Sequence, residues 1–201
     1  MYPDKKQEPE TGKRFPAMFS GKNPDDCDEE DKGHSCSIRQ VEITIKDLPG
    51  YLHRLRSLST EYGLHIILFN EEMMAGIAHV GMALSHAFRA VKSGTCISSS
   101  VEIEALLYAA GSRQVIDGAK FGLHEGVNRA YLCLCPDSED VWNILSNEMH
   151  LSSDDWEVLG NIKKSRLISA FGVTAPELSV TGEDRLKDLV LERVALLDVN
   201  K

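Results

Sequence analysis

The sequence predicts an α+β fold, a small mixed β-sheet buried by many helices in a single domain. Two observations carry this prediction. Short strand-like segments occur at 38–45, 64–69 and 128–135, while most of the remaining body spaces its apolar residues at three and four. The length of 201 residues and the 42% hydrophobic content are enough for one sizeable core.

Residues 1–37 differ in kind from the rest. Proline, glycine, lysine and acidic residues dominate, and the stretch around Cys27 is almost wholly acidic. Such a segment buries too little apolar area to offset its ordering entropy, so a disordered charged tail is expected, followed by one domain over 38–201.

The body opens with Ile38, Val41, Ile43 and Ile45, a strand with one apolar face. Asp47 can cap a helix with Pro49 in its first turn; Leu52, Leu55 and Leu58 follow at helical spacing, and Gly63 ends it. Residues 64–69 are almost continuously apolar, as a central strand covered on both faces requires. Asn70 can cap a long helix running from Glu71 and Glu72 through Phe88 to Gly94.

After Ser98-Ser-Ser100 comes the stretch 101–115, whose spacing places Glu104, Leu107, Tyr108 and Gly111 on one face. A carboxylate and a phenol therefore share a stripe that should be buried. They read as structural anchors, with Glu104 bonded to Arg113 at the bend into a short continuation ending at Gly122. In the strand at 128–135, Ala130, Leu132 and Leu134 oppose Tyr131, Cys133 and Cys135. Beyond Pro136 helices are expected at 140–149, 154–159, 162–171 and 182–198, the last striped by Leu186, Leu189, Val190, Val194 and Leu197.

The formal charge of −9 excludes a protein that coats nucleic acid by bulk charge. The tail holds 6 of the 22 Lys and Arg and 9 of the 31 Asp and Glu, so the body keeps 16 − 22 = −6. Five cysteines, an odd number at low density, fit a reducing cytoplasm, and no apolar run is clean enough for a membrane span. Cys133 and Cys135 are too few for a zinc site and read as small buried hydrophobes. His79 and His86 lie on one helix face about 10 Å apart along it, too far to share one metal ion, and read as satisfied packing histidines.

Glycine-rich nucleotide loops, HExxH and GxSxG are all absent from the sequence. The cations of the central helices, Arg89, Lys92, Arg113 and Lys120, form either a solvated face or a local phosphate patch. Lys163, Lys164 and Arg166 make a second cluster open to the same two readings.

Asn70-Glu-Glu-Met-Met74, the Ala/His-rich helix to Arg89, and Ile103-Glu104-Ala-Leu-Leu-Tyr108-Ala-Ala-Gly-Ser-Arg113-Gln114-Val115 with Gly122 after it together carry a family likeness. This block resembles the small kinase-binding regulatory subunit of the KEOPS (EKC) complex in its archaeal form. The likeness spans residues 38–195 loosely and 64–122 strongly.

It implies a noncatalytic, cofactor-free cytoplasmic subunit of the machinery that installs threonylcarbamoyl on the adenosine beside the anticodon of tRNA. It further implies direct binding to the small atypical kinase/ATPase subunit, contact with the metal-dependent catalytic subunit through that kinase, and engagement of the single-stranded tRNA 3′ CCA end. Arg89, Lys92, Arg113 and Gln114 are the tRNA candidates among this chain's own residues, since a few cations and side-chain amides suffice for a single-stranded end. Surplus apolar positions on the C-terminal helices, Leu189 and Val190, are the candidates for the kinase contact. The rival readings are a small-molecule enzyme with Glu104, Tyr108 and His86 in one pocket, and a kinase adaptor that never touches RNA.

Overall fold

A computed structural model describes residues 35–199 of the chain. The expected tail lies outside the described residues, except that Ser35, Cys36 and Ser37 belong to the fold: the Ser35 carbonyl accepts from the Asp137 N–H, and β1 begins at Ser37.

The α+β class is as expected, with the strands β1 (Ser37–Ile45), β2 (His65–Asn70), β3 (Gly126–Cys135) and β4 (His150–Leu151) forming one sheet in the order β2-β3-β1-β4. Every pairing is antiparallel, so the sheet is not mixed. β3 pairs along its length with β1 on one side and, over Ala130–Cys135, with β2 on the other. The apolar run in β2 was expected to mark a central strand. β2 is instead an edge strand, and its run reflects coverage of both its faces, with Ile66 and Leu68 packed on one side and Ile67 and Phe69 on the other.

The alternation along β3 divides the core. Ala130, Leu132 and Leu134 pack with Leu55 and Leu58 of α1 (Leu48–Tyr62) and with Val141, Trp142 and Leu145 of α5 (Glu139–Leu145). Tyr131 and Cys133 face a larger layer built from α2 (Ile77–Ser93), α3 (Val101–Ala110), α6 (Asn161–Ala170) and α8 (Leu186–Val199). The sheet is thus sheathed by helices on both faces.

The caps of α1 are those the sequence predicts: the Asp47 carboxylate accepts from the Gly50 N–H, and Gly63 takes the left-handed conformation at φ 63°. The next helix starts later than expected. Asn70 caps a single 3₁₀ turn, Glu71–Met73, and α2 begins only after Gly76. Gly76 sits at φ 107°, where a Cβ would strike the Glu157 carboxylate at 2.4 Å; that carboxylate supplies the cap by accepting from the Ile77 N–H at 2.7 Å. The cap comes from 80 residues away, which is why no local signal announces it.

The continuation after Arg113 is short, α4 (Val115–Ala119). After Pro136, the expected helix at 154–159 is irregular chain, β4 follows α5, and α7 (Ala175–Thr181) is an additional helix whose Thr174 and Glu177 form a reciprocal capping box.

Cys135 is not a free thiol. The register Ser37↔Leu134 places Cys36 opposite it, with Cα atoms 4.3 Å apart, and the two form a disulfide; Cys133 stays reduced and buried. Closing a separation of 99 residues stabilises the fold by restricting the unfolded chain.

Leu189 and Val190 are not surface positions. Both are buried, Val190 completely, in the layer facing Tyr131 and Cys133. The stripe expected on the last helix is spent covering α2 and α3, which a sequence cannot distinguish from a face that covers a partner. Val190→Glu therefore buries an unpaired carboxylate and should cost about 3–5 kcal/mol. A urea titration should show a large fall in midpoint; an unchanged midpoint would place Val190 at the surface after all.

Candidate nucleic-acid groove

The centre of the larger helical layer is α3. Ser100 caps it by accepting from the Ile103 N–H, and Gly111 ends it in the left-handed conformation at φ 57°. Glu104 and Tyr108, one turn apart, are both fully buried.

Glu104 does anchor the structure, but not through Arg113. Its carboxylate accepts the N–H groups of Ile97 (2.9 Å) and Ser98 (2.7 Å), so it fixes the loop that enters α3 rather than the bend that leaves it. Backbone donors satisfy the buried charge where the sequence offers only a side-chain cation as a visible partner.

Tyr108 points the other way along the helix and donates its hydroxyl to Asp198, near the end of α8. Burial, reinforced by that neighbouring carboxylate, raises the phenol pKa far above its ordinary value, so Tyr108 stays a donor. His86 Nδ1 lies 2.5 Å from Asp198 Oδ2, and Arg89 Nη2 lies 2.8 Å from the same oxygen. The His86 and Tyr108 rings pack at 5.2 Å between centroids. Three donors from α2 and α3 thus converge on one carboxylate from α8 and lock the three helices together.

Glu104, Tyr108 and His86 therefore do not share a pocket. Two of them meet at Asp198, and Glu104 is occupied by the loop at 97–98.

A groove opens beside this knot, lined by Arg89, Ala90, Ser93, Thr95, Arg113 and Asp198. The C-terminal end of α2 contributes Arg89, Ala90 and Ser93, and Gly94 turns the chain so that Thr95 lies beside Ser93, their hydroxyl oxygens 2.9 Å apart. Arg113 arrives from the turn between α3 and α4. Two of the four predicted tRNA candidates, Arg89 and Arg113, are brought together. Lys92 and Gln114 are exposed but do not line the groove. Ser93, Thr95 and Asp198 escaped sequence reasoning; Asp198 lies 109 residues from Arg89 and no spacing links them.

The chain matches no known family model, and no curated protein is similar to it. The groove must be read on its own chemistry: two guanidinium groups, two hydroxyls and one fixed carboxylate.

Three other cations pair away from the groove. Lys120 pairs with Asp117, Lys163 with the buried Glu71 at 2.5 Å, and Arg166 with Glu72, so the second cluster ties α6 to the 3₁₀ turn. Burial lowers the Lys163 pKa despite the opposing pull of Glu71. His65 Nδ1 meets Glu102 at 2.8 Å; burial opposes the ionisation of Glu102, yet that bond holds its pKa below the usual carboxylate value.

His79 is a packing histidine, as expected. Its Nδ1 accepts from the Ala75 N–H at 3.1 Å, which leaves the proton on Nε2 to be donated to the Ala109 carbonyl at 2.9 Å. Among the described residues no cluster of metal-ligating side chains forms, and no helix is long and apolar enough to cross a membrane.

Burial depresses the His79 pKa from 6.5 to about 4, so below pH 6.5 the unfolded chain binds a proton that the folded one refuses. The stabilisation is complete above pH 6.5 and is lost as the pH falls toward 4. Unfolding free energy should drop by about 2 kcal/mol between pH 7 and pH 5 from this group. Denaturant titrations of the wild type and His79→Gln should show a smaller pH dependence in the variant; identical dependences would contradict the buried neutral imidazole.

Proposed function

We propose that this protein is the small noncatalytic subunit of a KEOPS-type complex, binding the atypical kinase subunit directly and holding the 3′ CCA end of tRNA in the Arg89–Arg113 groove. The observation that carries the proposal is the meeting of two arginines from separate elements in one groove on a chain of net charge −9. A bulk-basic protein would bind RNA anywhere along its length, whereas an acidic one with a local cationic groove engages a short single-stranded end.

The hydroxyls of Ser93 and Thr95 supply neutral hydrogen bonding beside the two charges, as single-stranded recognition requires. In this reading the protein works without a catalytic centre or cofactor of its own and supports threonylcarbamoylation by placing the substrate. Its contact with the catalytic subunit runs through the kinase.

The proposed setting is an archaeal cytoplasm. The Cys36–Cys135 bridge is uncommon in a cytoplasm, where thiols ordinarily stay reduced, intracellular proteins of hyperthermophilic archaea being an exception.

The test is a gel shift with intact tRNA and with tRNA lacking its CCA end. Intact tRNA should bind more tightly, and Arg113→Ala should weaken it by about tenfold and lower the salt slope by about one. Equal binding of the two RNAs, or none to either, would overturn the tail-binding proposal and leave a kinase adaptor without RNA contact.

A further inference from the structure

Nothing in the pairing of β1 with β3 obliges a covalent link between them. Nine residue pairs, from Ser37↔Leu134 to Ile45↔Gly126, already join the two strands. The corner where β1 begins is also closed without sulfur: the Asp137 N–H donates to the Ser35 carbonyl at 2.9 Å, and Ser37 Oγ and Trp142 Nε1 both donate to the Asp137 carboxylate. Opening the Cys36–Cys135 bridge therefore lifts a restraint on the unfolded chain and leaves the folded one its pairing.

The two sulfurs of the bridge differ in access. Cys36 stands just outside β1 and keeps part of its surface exposed, whereas Cys135 is fully buried in the layer with α2 and α3. Exchange begins when a thiolate reaches one sulfur, so Cys36 Sγ is the point of entry. The other sulfur is the leaving group, released into apolar surroundings. Two residues earlier on the same strand face, burial pushes the Cys133 thiol well above its ordinary pKa. A thiol released beside it stays protonated, and it is a poor nucleophile for closing the bridge again.

We propose that Cys36–Cys135 is an exchangeable bridge with one reactive end: a thiol adds to Cys36, Cys135 leaves into the core, and the domain passes to a folded but less stable reduced state. The incoming thiolate forms a new S–S bond to Cys36 Sγ as the bond to Cys135 breaks, and the electron pair departs on Cys135 Sγ, which takes a proton. A second thiolate attacks the added sulfur and frees Cys36. Two external thiols thus become one disulfide while the bridge becomes two cysteines. Between the two steps Cys36 carries the external thiol as a mixed disulfide, which makes it a modification site.

The test treats the oxidised, folded full chain with reduced glutathione and, separately, with dithiothreitol, both without oxygen, and follows it by intact mass and peptide mapping. Reduced glutathione does not add to a free thiol such as Cys96 unless an oxidant is present, so an adduct reports the bridge. The adduct should form on Cys36. Dithiothreitol should release both thiols with the circular dichroism of the fold retained, while the unfolding equilibrium constant rises about a hundredfold or more. Cys36→Ser, with Cys36→Ala as a second variant should the first not fold, should match the reduced protein and lose all response to dithiothreitol. An adduct on Cys135, a bridge that survives both reagents until the chain is unfolded, loss of the fold on reduction, or equal stability with and without dithiothreitol would each overturn the proposal.

Discussion

β3 pairs with β1 along its length and with β2 over Ala130–Cys135, and the placement of the helices follows from that. Side chains of a strand alternate between faces, so a fully paired apolar strand must be covered twice. Tyr131 and Cys133 require one helical layer and Ala130, Leu132 and Leu134 another. The larger layer needs α2, α3, α6 and α8 in contact, which brings the ends of α2 and α8 beside the exit of α3. The groove is the seam where these ends meet.

Buried carboxylates sit at such seams. Glu104 is buried against two backbone N–H groups, Glu71 against Lys163, and Asp198 against a phenol, an imidazole and a guanidinium. Each carboxylate is held by donors from another segment, so each fixes a junction that apolar packing alone would let slide. The Asp198 knot is the one that opens toward solvent. The same contacts that stop α8 from sliding on α2 hold Arg89 at the rim of the groove.

Legibility in the sequence followed the range of the determining contact. The Asp47 cap, the Gly63 and Gly94 stops and the two faces of β3 depend on neighbours within a few residues, and all are readable. The start of α2 depends on Glu157, and the disulfide on a strand register, so neither is. Arg89 and Arg113 were identifiable as candidates because cations on a helix end and in a turn stand out on an acidic chain. Asp198 was not, because in sequence it is one more acidic residue on an amphipathic helix. Leu189 and Val190 show the converse problem, since an apolar stripe states that something covers it but not whether the cover is this chain or another.

The central claim is that the Arg89–Arg113 seam receives a single-stranded RNA end. Amide chemical-shift mapping of the isotope-labelled protein during titration with a short RNA ending in CCA tests it most directly. Perturbations should centre on Arg89, Ser93, Thr95 and Arg113, with β4 and the exposed side of α1 unmoved. Perturbations centred on another face, with those four amides unchanged, would contradict it.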